Sequence, residues 1–69
     1  MTDVSEHPSE WCRIGSLWRS RESHVEVIVK RFEEREDGDG WMVVAQFSDD
    51  SGAILTDSES FREEWRPRD

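Results

Sequence analysis

The stretch HVEVIVKRFEEREDGDGWMVVAQFSDD, residues 24–50, holds two runs in which side chains alternate in character. In the first run, one face carries Val25, Val27 and Val29, and the other carries Glu26, Ile28, Lys30 and Phe32. In the second run, one face carries Trp41, Val43, Ala45 and Phe47, and the other carries Met42, Val44, Gln46 and Ser48. β-Branched residues with a period of two indicate strands. Two Asp-Gly dipeptides at residues 37–40 offer the positive backbone angles of a hairpin tip.

Shorter elements flank this hairpin on both sides. Residues 16–19 form a lead strand, SDDSG is a second tight turn, and AILTD at residues 53–57 is a shorter strand. Asp57 or Ser58 can then cap one helical turn. Phe61 and Trp65 lie four residues apart and face the same side of that turn, which Pro67 ends. We therefore expect a mainly β fold, a five-stranded barrel with a short helical turn near the C-terminus.

The size and composition of the chain predict one small domain. A chain of 69 residues forms one domain at most, and only 33% of its residues are apolar. The apolar residues are concentrated between Trp11 and Trp65 and include four Trp and three Phe. Because each buried aromatic removes roughly 150–250 Å² from water, few are needed for a core. We expect a flexible acidic arm at residues 1–10 and a single folded domain at residues 11–69.

The charge and the cysteine count restrict the function classes. A net charge of −8 argues against direct binding of nucleic acid, which needs a basic face, and favours a basic protein partner. One cysteine cannot form an intrachain disulfide, so a reducing compartment is the natural setting. No apolar stretch approaches the ~20 residues of a membrane span, and the N-terminus is acidic rather than signal-like. We expect a cytoplasmic protein with no membrane contact.

The order of elements resembles an SH3-like small barrel. The resemblance is carried by IGSLW, VEVIV, the acidic tip before WMVVAQF, the turn DDSG, and AILTDSESF, and it covers roughly residues 11–67. The Gly15-x-x-Trp18-Arg19 segment with the closing SFREEWRP is similar to uncharacterised short barrel proteins of bacteria and bacteriophages. The resemblance implies a ligand groove beside the acidic tip, lined by Trp41. The absence of Tyr argues against the polyproline recognition of many SH3 domains.

The acidic tip is the most distinctive candidate site in the sequence. Six of the seven residues at 33–39 are charged. The candidate partner-binding residues are Glu33, Glu34, Glu36, Asp37, Asp39 and Trp41. The carboxylates could form a solvated hairpin end, attract a basic partner, or hold a divalent cation. The last alternative is the weakest, because the spacing does not match the calcium-binding loop.

The remaining tryptophans and the arginines leave alternatives open. Trp41 is a groove residue or, as its apolar alternation partners favour, a core residue. Trp18 and Trp65 are expected in the core or at its rim, whereas Trp11 borders the arm and could be an exposed anchor. The first and last segments of a barrel are commonly neighbours. A basic rim could therefore form from Arg19, Arg21, Arg62, Arg66 and Arg68.

No pattern of residues indicates catalysis. Cys12 would need a positioned base, and His7 and His24 lie in the arm and at a strand start. These three residues also lack the spacing of a zinc site. We therefore expect no enzyme activity, no cofactor and no metal. The function we expect is a non-catalytic protein-binding module, an adaptor or inhibitor that contacts a basic partner. The alternative is a nucleic-acid-binding module, or an acidic mimic that blocks a nucleic-acid-binding enzyme.

Overall fold

Antiparallel strands are the main regular element of the fold. The computed structural model describes residues 7–38 and 40–68. A 3-10 helix at Pro8–Glu10 precedes strands β1 (Leu17–Ser20), β2 (Glu26–Glu34), β3 (Trp41–Phe47) and β4 (Ala53–Asp57). The helix α1 (Ser58–Glu64) and strand β5 (Trp65–Pro67) follow. The mainly β class, the five strands and the short helix near the C-terminus are confirmed.

The strands form one sheet that is not closed into a barrel. Their order is β4-β3-β2-β1-β5, and every neighbouring pair is antiparallel. In the described part of the chain, β4 and β5 are therefore the two edges. Helix α1 connects these edges and buries Phe61 completely. A helical side chain, rather than strand pairing, thus seals this side of the core.

The core lies on the inner face of the sheet, beneath α1. The buried apolar residues are Cys12, Trp18, Val27, Val29, Val43, Ala45 and Phe61. Phe61 contacts Trp18 at 5.0 Å between ring centroids and stacks on Trp65 at 5.9 Å. Trp18 is thus a core residue and Trp65 lies at the rim, partly exposed. Large aromatic rings seed this core, as the composition predicts.

A β-bulge changes the two faces of β2. The register with β3 shifts between Val29 and Arg31, so exposed Lys30 has no residue opposite it. After the shift, Phe32 lies opposite the buried Val43 and packs against the core. The expectation that Phe32 shares a face with Ile28 is wrong, because one extra residue reverses the alternation.

The N-terminal segment contributes to the packed structure from His7 onward. The first six residues of the expected arm, residues 1–6, lie outside the described part of the chain. Pro8 is buried, and its carbonyl accepts a hydrogen bond from the Cys12 N–H at 2.8 Å. His7 Nδ1 accepts a hydrogen bond from the backbone N–H of Ser9 at 3.1 Å. Residues 7–10 therefore pack against residues of the predicted domain.

Candidate functional site at the acidic hairpin

The acidic tip is built by the ends of β2 and β3 and the loop between them. Glu33 and Glu34 are the last residues of β2 rather than loop residues. Arg35 N–H donates to the carbonyl of Gly40 at 3.0 Å, and Gly38 N–H donates to the carbonyl of Arg35 at 2.9 Å. Gly38 has φ 72° and Gly40 has φ 147°, as the Asp-Gly pattern predicts.

The hairpin brings the predicted carboxylates to one end of the sheet. Glu34, Glu36 and Asp37 are exposed, and Glu33 is half-buried. Asp39 lies outside the described residues. Three exposed acidic side chains within four positions create a local negative field that screening by salt weakens.

Two arginines reduce this negative charge, and sequence reasoning missed their role. Arg31 Nη2 lies 2.8 Å from Glu33 Oε2. Arg35 Nη2 lies 3.3 Å from Asp37 Oδ2, and Arg35 Nη1 lies 2.8 Å from Asp57 Oδ1 at the end of β4. The five acidic residues at 33–39 outnumber the two guanidinium groups, so the tip stays negative. The only sequence signal was that both arginines stand two residues before an acid.

Asp57 also differs from its expected role. It occupies the residue before α1, but its side chain makes no capping hydrogen bond to the helix. Its carboxylate instead accepts from Arg35 Nη1 at 2.8 Å. This contact ties the acidic loop to the junction of β4 and α1, across 22 residues of sequence.

Trp41 lies outside the buried core. It is half-buried, lies directly opposite Glu34 in the β2–β3 register, and contacts the His7 ring at 4.4 Å between centroids. The same His7 ring contacts Phe32 at 5.6 Å. The core placement favoured by alternation is therefore not observed, because Trp41 begins its strand beyond the end of the core. Nothing in the sequence pointed to His7 as its neighbour.

Trp11 and Arg62 form a second surface contact, beside the core residue Trp18. Trp11 is half-buried and meets Trp18 edge-on at 5.9 Å. The Arg62 guanidinium lies over the Trp11 ring at 5.0 Å from its centroid. A cation over an aromatic face is favourable, so Trp11 is already occupied on that face.

Three of the arginines expected to form a basic rim meet on β1 and β5. Arg19 lies directly opposite Arg66, and Arg68 follows β5. Glu26 accepts from Arg68 Nε at 2.9 Å and lies 3.6 Å from Arg19 Nε. Arg21 lies beyond the end of β1, in the turn toward β2.

The chemistry of the cysteine is that of a buried thiol. Cys12 is almost fully buried, and desolvation raises the pKa of its thiol to about 11. Because the thiolate is the nucleophile, Cys12 is unreactive at neutral pH. The described residues contain no cluster of three or more His, Cys, Asp or Glu that could hold a metal ion.

No protein-family model matches this chain, and neither a curated protein nor a solved structure matches it. Among the described helices, none has the length and apolarity needed to cross a membrane.

Proposed function

We propose that this protein is a non-catalytic protein-binding module that contacts a basic partner through its acidic hairpin tip and Trp41. The observation that carries the proposal is the position of Trp41. The ring is half-buried, lies outside the core, and stands opposite Glu34 at the base of the exposed carboxylates. A half-buried tryptophan outside the core and beside exposed carboxylates supports a role in contact with another molecule.

The two parts of this surface would act at different stages of binding. The exposed carboxylates attract a basic surface and raise the rate of association more than the final affinity. Trp41 would supply apolar contact area, and tryptophan is enriched among residues that dominate binding energy. The ion pair between Arg35 and Asp57 restrains the loop beforehand, which lowers the entropy lost on binding.

The same proposal places the chain in the SH3-like class, related to short bacterial and bacteriophage proteins and acting as an adaptor or inhibitor in the cytoplasm. The strand order and the short helix between β4 and β5 support the class. A single buried cysteine supports a reducing compartment. The genes beside this one provide a direct check on a phage or bacterial operon context.

The experiment compares proteins captured from the source cell by three immobilised proteins. These are the natural chain, a tip variant and a control in which the same number of charges is removed elsewhere. The tip variant changes Glu33, Glu34 and Glu36 to Gln and Asp37 and Asp39 to Asn. The control changes five glutamates outside residues 24–60 to Gln, namely Glu6, Glu10, Glu22, Glu63 and Glu64.

Quantitative mass spectrometry should show one or more proteins enriched on the natural chain and on the control but lost from the tip variant. Trp41→Ala should lose the same proteins with its far-ultraviolet spectrum unchanged. Equal recovery on the natural chain and the tip variant would reject the role of the tip.

A second candidate function is supported by the arginines on β1 and β5. Arg19 faces Arg66 with Arg68 nearby, and the single carboxylate of Glu26 offsets only part of this positive charge. These side chains could contact phosphates, or the acidic tip could mimic nucleic acid on an enzyme. Direct binding predicts that affinity for labelled DNA or RNA falls by about 0.9 log units per log of salt for each phosphate contacted. Mimicry predicts competition between nucleic acid and this protein for one partner.

A further inference from the structure

Strand β4 is an edge of the sheet, and the hydrogen-bond ladder fixes which of its backbone groups face outward. Phe47 N–H donates to the Gly52 carbonyl at 2.8 Å, where β3 turns into β4. In an antiparallel pair, hydrogen-bonded and non-hydrogen-bonded residue pairs alternate. The registered pairs Ala45–Ile54 and Val43–Thr56 are therefore the hydrogen-bonded ones. Ile54 and Thr56 direct their backbone groups toward β3.

Ala53 and Leu55 consequently direct their N–H and C=O groups away from the sheet. The hydrogen bonds between β3 and β2 lead to the same assignment of backbone directions, because Ser48 N–H donates to the Glu26 carbonyl at 2.9 Å. That bond assigns the backbone groups of Val44, the residue opposite Leu55, to the pairing with β2. No described backbone group outside β3 is bonded to Leu55.

The β4 edge lacks several of the protections that edge strands commonly carry against pairing with another strand. Natural edge strands are blunted by lysine, proline, a bulge, or a short length. The five residues AILTD contain neither lysine nor proline, and their register with β3 is unbroken. The Leu55 side chain is 56% exposed at the middle of the strand. This edge can accept a further strand with an apolar residue near Leu55.

Carboxylates flank both ends of this edge. Asp49 and Asp50 are exposed in the turn before β4, and Glu59 is exposed just after it. Hydrogen bonds from the Ser51 side chain and backbone hold the pKa of Asp49 below its usual range, so this group stays ionised. At the end of β4, Asp57 lies opposite Met42, which in turn lies opposite Glu33. The added strand would run from one acidic region to the other.

These charges decide between two occupants of the edge. A second copy paired antiparallel to β4 would bring the two sets of carboxylates together, and each chain has a net charge of −8. A basic segment gains favourable contacts at both ends instead.

We propose that the β4 edge binds an extended basic segment of the partner as an additional strand. The segment has an apolar residue near Leu55 and Lys or Arg residues at both ends. Backbone hydrogen bonds supply affinity in this mode of recognition, and the side chains supply specificity. The inference rests on the proposed function, because it gives the basic partner a backbone conformation and a place beside the tip.

The test uses the full chain, isotopically labelled, and a synthetic peptide of alternating Thr and Val with two Arg residues at each end. Titration should shift the amide signals of Ala53 and Leu55 and slow their hydrogen exchange. Intermolecular nuclear Overhauser effects should show which peptide residue lies beside each residue of β4. A peptide N-methylated on the residue bonded to Leu55 should bind about tenfold more weakly, because one or two backbone hydrogen bonds are lost.

Two substitutions separate the backbone contact from the side-chain contact. Leu55→Thr keeps the outward N–H and should still bind the peptide. Leu55→Pro removes that N–H and should bind about tenfold more weakly. The N-methylated peptide provides the same comparison on the natural chain if Leu55→Pro does not fold.

The outcomes distinguish this inference from the proposed function. No binding, or shifts confined to residues 33–41, would overturn the edge contact. Loss of captured partners from the tip variant, together with full capture by folded Leu55→Pro, would overturn the edge contact and keep the proposed function. Peptide binding at β4 together with unchanged capture by the tip variant would support the edge and reject the tip.

Discussion

The two edges of the sheet differ in the backbone donors they present. At the β5 edge, Arg68 N–H donates to the Leu17 carbonyl at 2.9 Å, so the outward positions of β5 are Trp65 and Pro67. Trp65 N–H is bonded to the Phe61 carbonyl at the end of α1, and proline has no N–H. At the β4 edge, Leu55 keeps both outward groups without a described partner. One edge is closed to a further strand and the other is open.

Under the proposal, this difference would let a small open sheet accept a further strand at one edge and not at the other. The short length of β5 and its proline are the protections that edge strands commonly carry. Helix α1 joins the two edges and contributes to both, because Phe61 stacks on Trp65 of β5 and fills the core beside β4. The acidic groups around β4 then disfavour pairing between two copies of the chain.

The largest expected effect is on the helix between the edges. Phe61→Ala removes a fully buried ring and should lower the free energy of unfolding by ~3–5 kcal/mol. Urea titration followed by circular dichroism measures the loss. Leu55→Ala is the control at the exposed edge and should change stability by less than ~0.5 kcal/mol. Equal losses of unfolding free energy in the two variants would contradict the difference between buried Phe61 and the exposed β4 edge at Leu55.

Proline substitutions at adjacent residues of β4 should give the next largest contrast. Ile54→Pro removes an N–H that bonds β3 and should cost ~2–4 kcal/mol, from the lost ladder bond and the lost apolar contacts. Leu55→Pro removes an outward N–H, and proline is tolerated at such edge positions. Its cost should stay near ~1 kcal/mol. The midpoints of thermal unfolding check both values, and a reversed order would contradict the assigned hydrogen-bond phase.

A smaller effect is expected where the acidic loop is tied to β4. Arg35→Gln removes the ion pairs to Asp57 and Asp37, which are partly exposed. We expect a stability loss of ~0.2–1 kcal/mol that shrinks in high salt. Lys30→Gln, which changes the same charge at an exposed residue on the bulge, is the control and should be neutral. A salt-independent loss of several kcal/mol would contradict this account of the loop.

The smallest effect concerns the charge before β4. Because the pKa of folded Asp49 is lowered, its hydrogen bonds favour the folded state above the usual carboxyl range. This contribution disappears as the pH falls through the lowered pKa. Ser51→Ala removes the main cause, so the pKa of Asp49 should rise toward its ordinary value. A carbon-detected NMR titration of the Asp49 carboxyl measures it, with the natural chain as the reference. An unchanged pKa of Asp49 would reject the Ser51 hydroxyl as the main cause, because alanine keeps the backbone N–H of residue 51.

Local patterns account for most of the predicted fold. Alternation in β2 and β3 identified both strands, and Val43 and Ala45 are buried as their shared face requires. The Asp-Gly pairs placed the hairpin loop correctly. The bulge at Lys30 left no signal, because an extra residue in one strand is defined only by its partner strand. The sequence also could not predict whether the sheet closes into a barrel, since closure depends on how α1 fills the space between β4 and β5.

The candidate site was predictable in its acidic residues but not in its contacts. The run of like charge marked Glu34 and Glu36 directly. The position of Trp41 beyond the core, with His7 against it, depends on where the core ends rather than on alternation. The outward direction of the Leu55 backbone groups is likewise set by the hydrogen bonds at the turn, which sequence alone does not place.

Amide hydrogen exchange of the free protein tests the central difference between the edges most directly. The N–H groups of Ile54 and Thr56 should be protected, whereas those of Ala53 and Leu55 should exchange at rates near those of unstructured backbone. Trp65 N–H should be slower than Leu55 N–H, because it is bonded to Phe61. Uniform protection along residues 53–56, or a Leu55 amide slower than its two neighbours, would contradict an open β4 edge.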